Sequence, residues 1–299
     1  MAGRLSCSNS CSLLSEFCPA GIAMLMSTQA HRFAHQLLEA RAQGVQMPPI
    51  SASGPLSVGD GYEIAKRIMD IRIAQGETLI GRKIGFTNRR IWSRYGVNEP
   101  ISNPIWTPIF EETVRFAEDN RGIQGLAGAM QPRLGPELVF RLGRTPAPDA
   151  TLEDLANCIE WMAHAFEIVT CPFPDWKFEM PDSIAAFGLH GTLIVGEPRV
   201  LSAASRRNLA DVLAHASLSI SCGDELRSAG FGSDVLGSPL HALWHLHQLL
   251  RDLPQFQQLT EGEVITTGTW TDVCPVQAGE TWTSAFSGIT LPGLTVSFV

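Results

Sequence analysis

Apolar residues recur at two different periods along this chain, and the change of period divides it. Over 28–43 (TQAHRFAHQLLEARAQ), Phe33, Leu37, Leu38 and Ala40 fall at helical spacing, and Gly44 with Pro48 and Pro49 ends the run. A second helix is predicted from the Ser57 to Asp60 start signal through YEIAKRIMDIRIAQ, stopping at Gly76. It feeds GETLIGRKIGFTN, a predicted strand with Gly81, Lys83 and Gly85 on one face and Ile80, Arg82, Ile84 and Phe86 on the other. The glycines are expected to leave the space around Lys83 open. RRIWSRYG predicts a short helix, and the Pro-rich VNEPISNPIWTPIF a loop running into an edge strand, which sets a boundary near residue 110.

From Glu111 onward the alternation is that of strands with Gly and Pro turns: EETVRFA, PELVFRLG, AFEIVTC, HGTLIVG, LSISCGD, GEVITTGTW and GLTVSFV. Two predicted helices interrupt them, LEDLANCIEWMAHA and PLHALWHLHQLLRDL, the latter begun at Ser238 and Pro239. Strands with occasional helices predict an α+β fold. The expected organisation is an extension over 1–25, an N-terminal α/β part over 26–110 and a strand-rich domain over 111–299.

Composition narrows the function. At 299 residues and 44% apolar, the chain is long enough for one large core or two modest ones. Thirty acidic against 22 basic residues, net charge −8, with no basic block, argue against nucleic acid as a partner. A charged fraction of only 17% is what a surface partly covered by copies of itself would show, so a homo-oligomer is expected. Seven cysteines without CxxC spacing support neither a zinc site nor a disulfide framework and fit a cytoplasmic location. No run of 18 apolar residues occurs, so no membrane span is expected. Residues 1–25 lack an uninterrupted h-region; they read as a loose extension, or as the product of an upstream start codon with Met24 or Met26 the working start.

Candidate chemistry is sparse. Glu137, in PRLGPELVF, and Glu167, in AHAFEIV, are single carboxylates on otherwise apolar strands, where an unpaired charge is costly. Each taken alone is as readily a strand-edge charge or half of an ion pair; together they are the oxygen donors that Mg²⁺ or Mn²⁺ uses. Lys83 between its glycines is either a cation for an anionic substrate or a lysine reaching solvent from a strand end. His164 and His190 are single histidines, and His241 with His245 share a helix face without the acid of an HExxH site. GEVITTGTW reads first as an ordinary Thr-rich strand; the other reading makes Thr269 and the Gly268 turn a place where backbone N–H groups bind a carboxylate. No GxGxxG, GxxxxGK[ST] or GxSxG occurs, which removes the sequence support for nucleotide binding and for a serine-hydrolase elbow.

Taken in order, GRKIGFTNRRIW (81–92), PRLGPELVF (132–140), AHAFEIVTCPFPDWKF (163–178), DSIAAFGLHGTLIVG (182–196), VLGSPLHALWHL (235–246) and GEVITTGTWTDVCPVQAGETW (262–282) resemble the 2-keto-4-pentenoate hydratase family of the fumarylacetoacetate hydrolase superfamily. The resemblance covers nearly all of 48–299. It implies a small N-terminal α/β part, a C-terminal mixed β-roll or sandwich, and a divalent metal, Mg²⁺ or Mn²⁺, that holds the carboxylate and 2-oxo group of a small 2-keto acid. Lys83 then falls on the active-site lysine and Glu137 and Glu167 on two of three metal carboxylates. Asp182 and His190 lie in a block near the site and are carried as catalytic candidates, Gly268 and Thr269 as substrate-binding ones.

One departure stands out. Where the family has an ExE pair, this chain has GxE, with Gly135 in place of the first carboxylate. A smaller one concerns Asn98, where such hydratases often carry an acid, and Thr107, where they have a nearby glycine. The activity implied is hydration of a 2-hydroxy-2,4-dienoate in aromatic catabolism, with decarboxylation of a 2-keto dioic acid of 4-oxalocrotonate type or C–C hydrolysis of an acylpyruvate as alternatives on the same fold. A reading of another class is a metal-depleted binding module or partner subunit of a related decarboxylase or hydratase.

Overall fold

In the computed structural model, two mixed sheets form the framework, and the structure describes residues 19–90 and 104–299. The larger sheet runs in the order β2 (Ile105–Phe110), β1 (Leu79–Gly85), β11 (Val264–Thr269), β5 (Arg133–Leu142), β6 (Ile159–Val169), β7 (His190–Val195), β3 (Val114–Phe116). Short strands β12 (Cys274–Pro275) and β8 (Arg199–Val200) add to β5 and β6. The smaller sheet is β10 (Glu225–Phe231), β9 (Ser217–Cys222), β13 (Thr281–Ser287), β14 (Thr295–Phe298), β4 (Arg121–Gln124). The α+β expectation holds. β1 and β2, from the segment expected to form a separate N-terminal part, hydrogen-bond into the larger sheet, β1 parallel to β11 and β2 antiparallel at its edge.

The N-terminal helices are α1 (Pro19–Gln43) and α2 (Val58–Ala74). The first begins ahead of the predicted start at 28 and inside the expected 1–25 extension, of which 1–18 lie outside the described residues. The second is set by Ser57, whose hydroxyl accepts from Asp60 N while the Asp60 carboxylate accepts from Ser57 N. Phe33, Leu37, Ile64 and Ile68 of these helices bury with Phe173, Phe187 and Leu189 in one cluster. A second cluster, with Phe140, Phe166, Trp270, Trp282 and Leu246, lies among the sheets and α7 (Pro239–Arg251), whose N-cap is Ser238 as predicted.

The predicted helix over 152–165 is corrected. Only α3 (Leu152–Cys158) is helical, and Ile159 begins an eleven-residue strand. Ile159, Trp161, Phe166 and Ile168 suit a strand buried between β5 and β7, and that pairing overrides the helical spacing. The remaining helices are α4 (Met180–Ala185), α5 (Ala203–Arg206) and α6 (Leu209–His215), none of which the periodicity marked. The predicted RRIWSRYG helix lies largely, and Asn98 wholly, outside the described residues.

Space around Lys83 also differs from expectation. A Cβ at Gly81 would lie 1.8 Å from Val264 O, so this glycine admits the close approach of β11 rather than opening a void. His164 links the two sheets: its Nδ1 meets Glu137 O at 3.0 Å and its Nε2 meets Ser284 Oγ at 2.7 Å. No helix among the described residues is long and apolar enough to cross a membrane.

Candidate active site

Curvature of the larger sheet assembles the polar end of one pocket. Lys83 leaves β1 and Glu167 leaves β6, with β11 and β5 between them. At a spacing of about 4.8 Å, three intervals would hold these backbones about 14 Å apart in a flat sheet. Lys83 Nζ nevertheless donates to Glu167 Oε2 at 2.6 Å. The sheet therefore bends around the site.

Glu137 and Glu167 come from neighbouring antiparallel strands. Gly135 stands opposite Glu167 and Glu137 opposite Ala165, which makes the two acids diagonal neighbours on one face, each 2% exposed. Glu137 Oε2 accepts from Gly268 N at 2.9 Å. Gly268 has φ +98° at a register shift in β11, and a Cβ there would lie 1.8 Å from Thr87 Oγ1. Only glycine turns that amide toward Glu137.

Glu167 is held from two sides. Besides Lys83, His190 Nδ1 meets its Oε1 at 2.7 Å, and His190 Nε2 reaches Thr113 Oγ1 at 2.9 Å. Arg41 braces this histidine from behind, donating to the His190 carbonyl at 2.6 Å. Burial alone would raise the Glu167 carboxyl, but the Lys83 charge and the His190 hydrogen bond overcome it and bring its pKa down to about 2. Glu137 goes the other way: burial first and the neighbouring Glu167 charge second push it well above the usual carboxylate range, against the pull of Lys83 and the Gly268 amide. Burial lowers the His190 pKa, with Glu167 opposing it.

Beyond this polar end, the pocket is walled by apolar side chains, Phe86, Ile105, Val169, Trp176, Phe178 and Leu189. Asn88, Thr87 and Thr269 border it, and Lys83 is the one cation among its described lining residues. Three of the wall residues have positive φ, Phe86 (56°), Trp176 (58°) and Leu189 (61°). Strained backbone of this kind persists only where its surroundings fix it, and it gathers at functional sites.

The sequence-predicted residues separate into those that meet and those that do not. Lys83, Glu137 and Glu167 converge in the pocket, and Gly268 and Thr269 line it. The expectation that the Gly268 N–H is available to a substrate carboxylate is corrected, because Glu137 accepts from it. His190 lies behind Glu167 and touches it without reaching the wall. Asp182 is not at the pocket either. Its fully buried carboxylate accepts from Ser51 N at 2.9 Å, Ser51 Oγ at 2.6 Å and Glu179 N at 2.9 Å, and so ties the 50–53 turn to α4. His241 bonds Ser238 Oγ at the start of α7 and is not among the pocket's lining residues.

Sequence reasoning passed over Asn88, Thr113, Arg41 and the apolar wall. Asn88 and the pair Trp176 and Phe178 stood inside two of the quoted blocks, which was the available signal; Thr113 and Arg41 act through His190 and carried none.

Among the described residues, no group of three or more Asp, Glu, His or Cys side chains converges to hold a metal ion. The donor set is the two carboxylates of Glu137 and Glu167. Hard oxygen donors in that number suit a hard divalent cation that completes its shell with water or with oxygens of a bound ligand.

Comparison with known proteins places this geometry in a lineage. Over 268 residues, 88% of this chain and 94% of the relative, the sequence is 28% identical to the 2-hydroxyhexa-2,4-dienoate hydratase of Comamonas testosteroni. It is 27% identical over 248 residues to a 4-oxalocrotonate decarboxylase of a Pseudomonas species, 83% of this chain and 90% of that one. The solved 4-oxalocrotonate decarboxylase from Pseudomonas putida G7, complexed with magnesium and adipate, superposes with a TM-score of 0.79 at 21% identity, over 91% of this chain and 98% of that chain, a likeness of fold. The fumarylacetoacetate (FAA) hydrolase C-terminal family model matches residues 95–295, two-thirds of the sequence, and the chain belongs to that family.

Proposed function

We propose that this protein is a lyase that hydrates a 2-hydroxy-2,4-dienoate with the help of a divalent cation. The observation that carries this reading is the convergence of the buried Lys83, Glu137 and Glu167 in a largely apolar pocket. Names of the relatives, dienoate hydratases above all, support it. Glu137 and Glu167 would hold the cation, which when bound supplies Lewis-acid polarisation of a 2-oxo carboxylate.

The chain's own groups then divide the work. The Lys83 ammonium offsets the substrate carboxylate and can donate the proton that the carbon end of the dienol takes up as it becomes a conjugated enone, regaining one from the enol hydroxyl or from water. His190 keeps Glu167 ionised and oriented. Phe86, Ile105, Trp176 and Phe178 hold the hydrocarbon part and limit water to the molecule that adds across the enone. Asn88 Nδ2 donates to Thr269 O at 3.3 Å, tying two edges of the pocket mouth together.

The decarboxylase alternative requires a place for a second carboxylate. With Lys83 the one cation among the described lining residues, a mono-acid fits better than a dioic acid. The reading as a non-catalytic binding module draws on Gly135, which leaves two acids where the family's pattern has three. A substrate panel decides among these. Incubation with 2-hydroxypenta-2,4-dienoate, 4-oxalocrotonate and an acylpyruvate, each with Mg²⁺ or Mn²⁺, is expected to give the 4-hydroxy-2-oxo acid from the first and faster turnover of it than of the others. Release of CO₂ or of pyruvate at the higher rate reassigns the reaction; no turnover of any of the three rejects the enzyme reading.

A further inference from the structure

Thr87, in the turn that follows β1, lines the pocket and is 1% exposed, yet its Oγ1 has no hydrogen-bond partner. Leaving a buried hydroxyl unpaired costs stability. The other described residues with such an orphan atom, Trp106, Gln124, His247, Gln258, Thr266 and Trp270, do not line the pocket. The other uncharged polar side chains among its described lining residues are all engaged. Thr269 Oγ1 donates to Thr271 O at 3.1 Å and Ser183 Oγ to Met180 O at 2.7 Å. Asn88 Nδ2 donates to Thr269 O, and its Oδ1 accepts from Arg90 N at 3.0 Å.

The chain fixes this hydroxyl in place. Thr87 O accepts from Leu236 N at 3.1 Å and Asn88 pairs with Val235, which ties the turn to the segment ahead of α7. Phe86 enters the turn with φ +56°, a conformation that costs a bulky residue energy. Opposite, Gly268 makes the room, since a Cβ there would lie 1.8 Å from Thr87 Oγ1. Two unusual backbone positions thus accommodate a group that bonds nothing in the protein. A buried polar atom of that kind finds its partner in water or in a ligand.

We infer that Thr87 Oγ1 holds the water molecule that adds to the substrate. This inference rests on the reading of the pocket as a dienoate hydratase site. A neutral hydroxyl suits a neutral partner, and the Lys83 ammonium meets the substrate carboxylate. In the reaction, C5 of the dienol takes up a proton as the enol O–H bond breaks, which gives the conjugated enone. The water oxygen then bonds to C4 as the C3–C4 double bond breaks; C3 takes up a proton and the added water gives one up to solvent. By accepting one O–H of that water, Thr87 leaves an oxygen lone pair free to meet C4. The neighbouring wall, Phe86, Ile105 and Phe178, offers water no competing bond.

Turnover of 2-hydroxypenta-2,4-dienoate in D₂O with Mg²⁺, read by proton NMR, tests it because protonation and hydration are seen separately. Wild-type protein is expected to give the 4-hydroxy-2-oxo acid with deuterium at C5. Thr87→Val keeps the shape and removes the hydroxyl. It is expected to deuterate C5 still but to form the hydroxy acid at least about tenfold more slowly, so that 2-oxopent-3-enoate accumulates. Its melting temperature is expected to equal or exceed that of wild type, since an unpaired hydroxyl is gone. Thr87→Ser is expected to stay within a few-fold of wild type in both steps.

Hydroxy acid formed by Thr87→Val at the wild-type rate overturns the inference. So does equal slowing of both steps with a lower melting temperature, which makes Thr87 structural. If Thr87→Val does not fold, a crystal structure of the wild-type protein decides: an ordered water about 2.8 Å from Thr87 Oγ1 is expected, and a hydroxyl without one overturns the inference. Dienoate left unchanged by wild-type protein rejects the proposed function; turnover that Thr87→Val leaves intact rejects this inference alone.

Discussion

Glu137 and Glu167 share one pocket yet are pushed in opposite directions, one above the usual carboxylate range and the other to about 2. The difference follows from their partners, since Glu167 has Lys83 and His190 on its two oxygens whereas Glu137 has the Gly268 amide and a charged neighbour. A raised carboxyl stabilises the fold below its ordinary value of 4.5 and loses that contribution as pH rises through the folded value. Glu137→Gln in chelator-treated protein is therefore expected to melt at a higher temperature than wild type, by a margin that grows as pH increases above 4.5. A margin that is constant or shrinks with pH counts against the assignment. Lys83→Met removes the cation from the polar end, and kcat for the dienoate is expected to fall by about 10²–10⁴; retention of wild-type kcat removes Lys83 from the mechanism. At this scale the sequence was informative, because isolated charges on apolar strands are costly enough to need a reason. What it could not convey was that the Gly268 amide is already taken by Glu137, or that Gly135 is overlaid by Thr269 and Val273, since both depend on contacts between distant strands.

Elements deliver those residues, and here pattern reading met its limit. Ser238 and Pro239 marked the start of α7 because capping chemistry is local. Ile159 to Ala165 carries apolar residues at both the helix and the strand period, and only the pairing with β5 decides between them. Asp182 shows the same limit for function: a buried acid beside the site block looked catalytic, but three donors from Ser51 and Glu179 engage it. Asp182→Asn places an amide N–H₂ against those donors and is expected to cost about 1–3 kcal/mol of stability. Chemical denaturation measures that, and kcat per folded molecule is expected to stay within a few-fold of wild type. A large fall in kcat at unchanged stability restores Asp182 to the catalytic set.

For the whole molecule, the resemblance carried by six ordered blocks conveyed the α+β roll, and the curl of the larger sheet that joins Lys83 to Glu167 was visible only in three dimensions. His164 shows how the two sheets are held. Its ring spans from the Glu137 carbonyl to the Ser284 hydroxyl, and burial keeps it neutral with a pKa lowered to about 4. The unfolded chain binds a proton on this side chain below about 6.5 that the folded chain refuses until about pH 4, so stability is lost as pH falls across that window. The loss from this one residue is of order 3 kcal/mol. His164→Asn is expected to flatten the fall of melting temperature between pH 6.5 and 4; an unchanged slope contradicts the bridge as the source.

The activity proposed for this apolar-walled pocket, with two buried carboxylates and a lysine among its lining, is hydration of a dienoate with the help of a divalent cation. The absorbance of 2-hydroxypenta-2,4-dienoate over time tests it most directly, with wild-type protein in Mg²⁺ or Mn²⁺, with chelator, and with Lys83→Met. Decay is expected to need both the cation and Lys83 and to yield the 4-hydroxy-2-oxo acid. Absorbance that falls no faster than the protein-free background, with either ion, contradicts it.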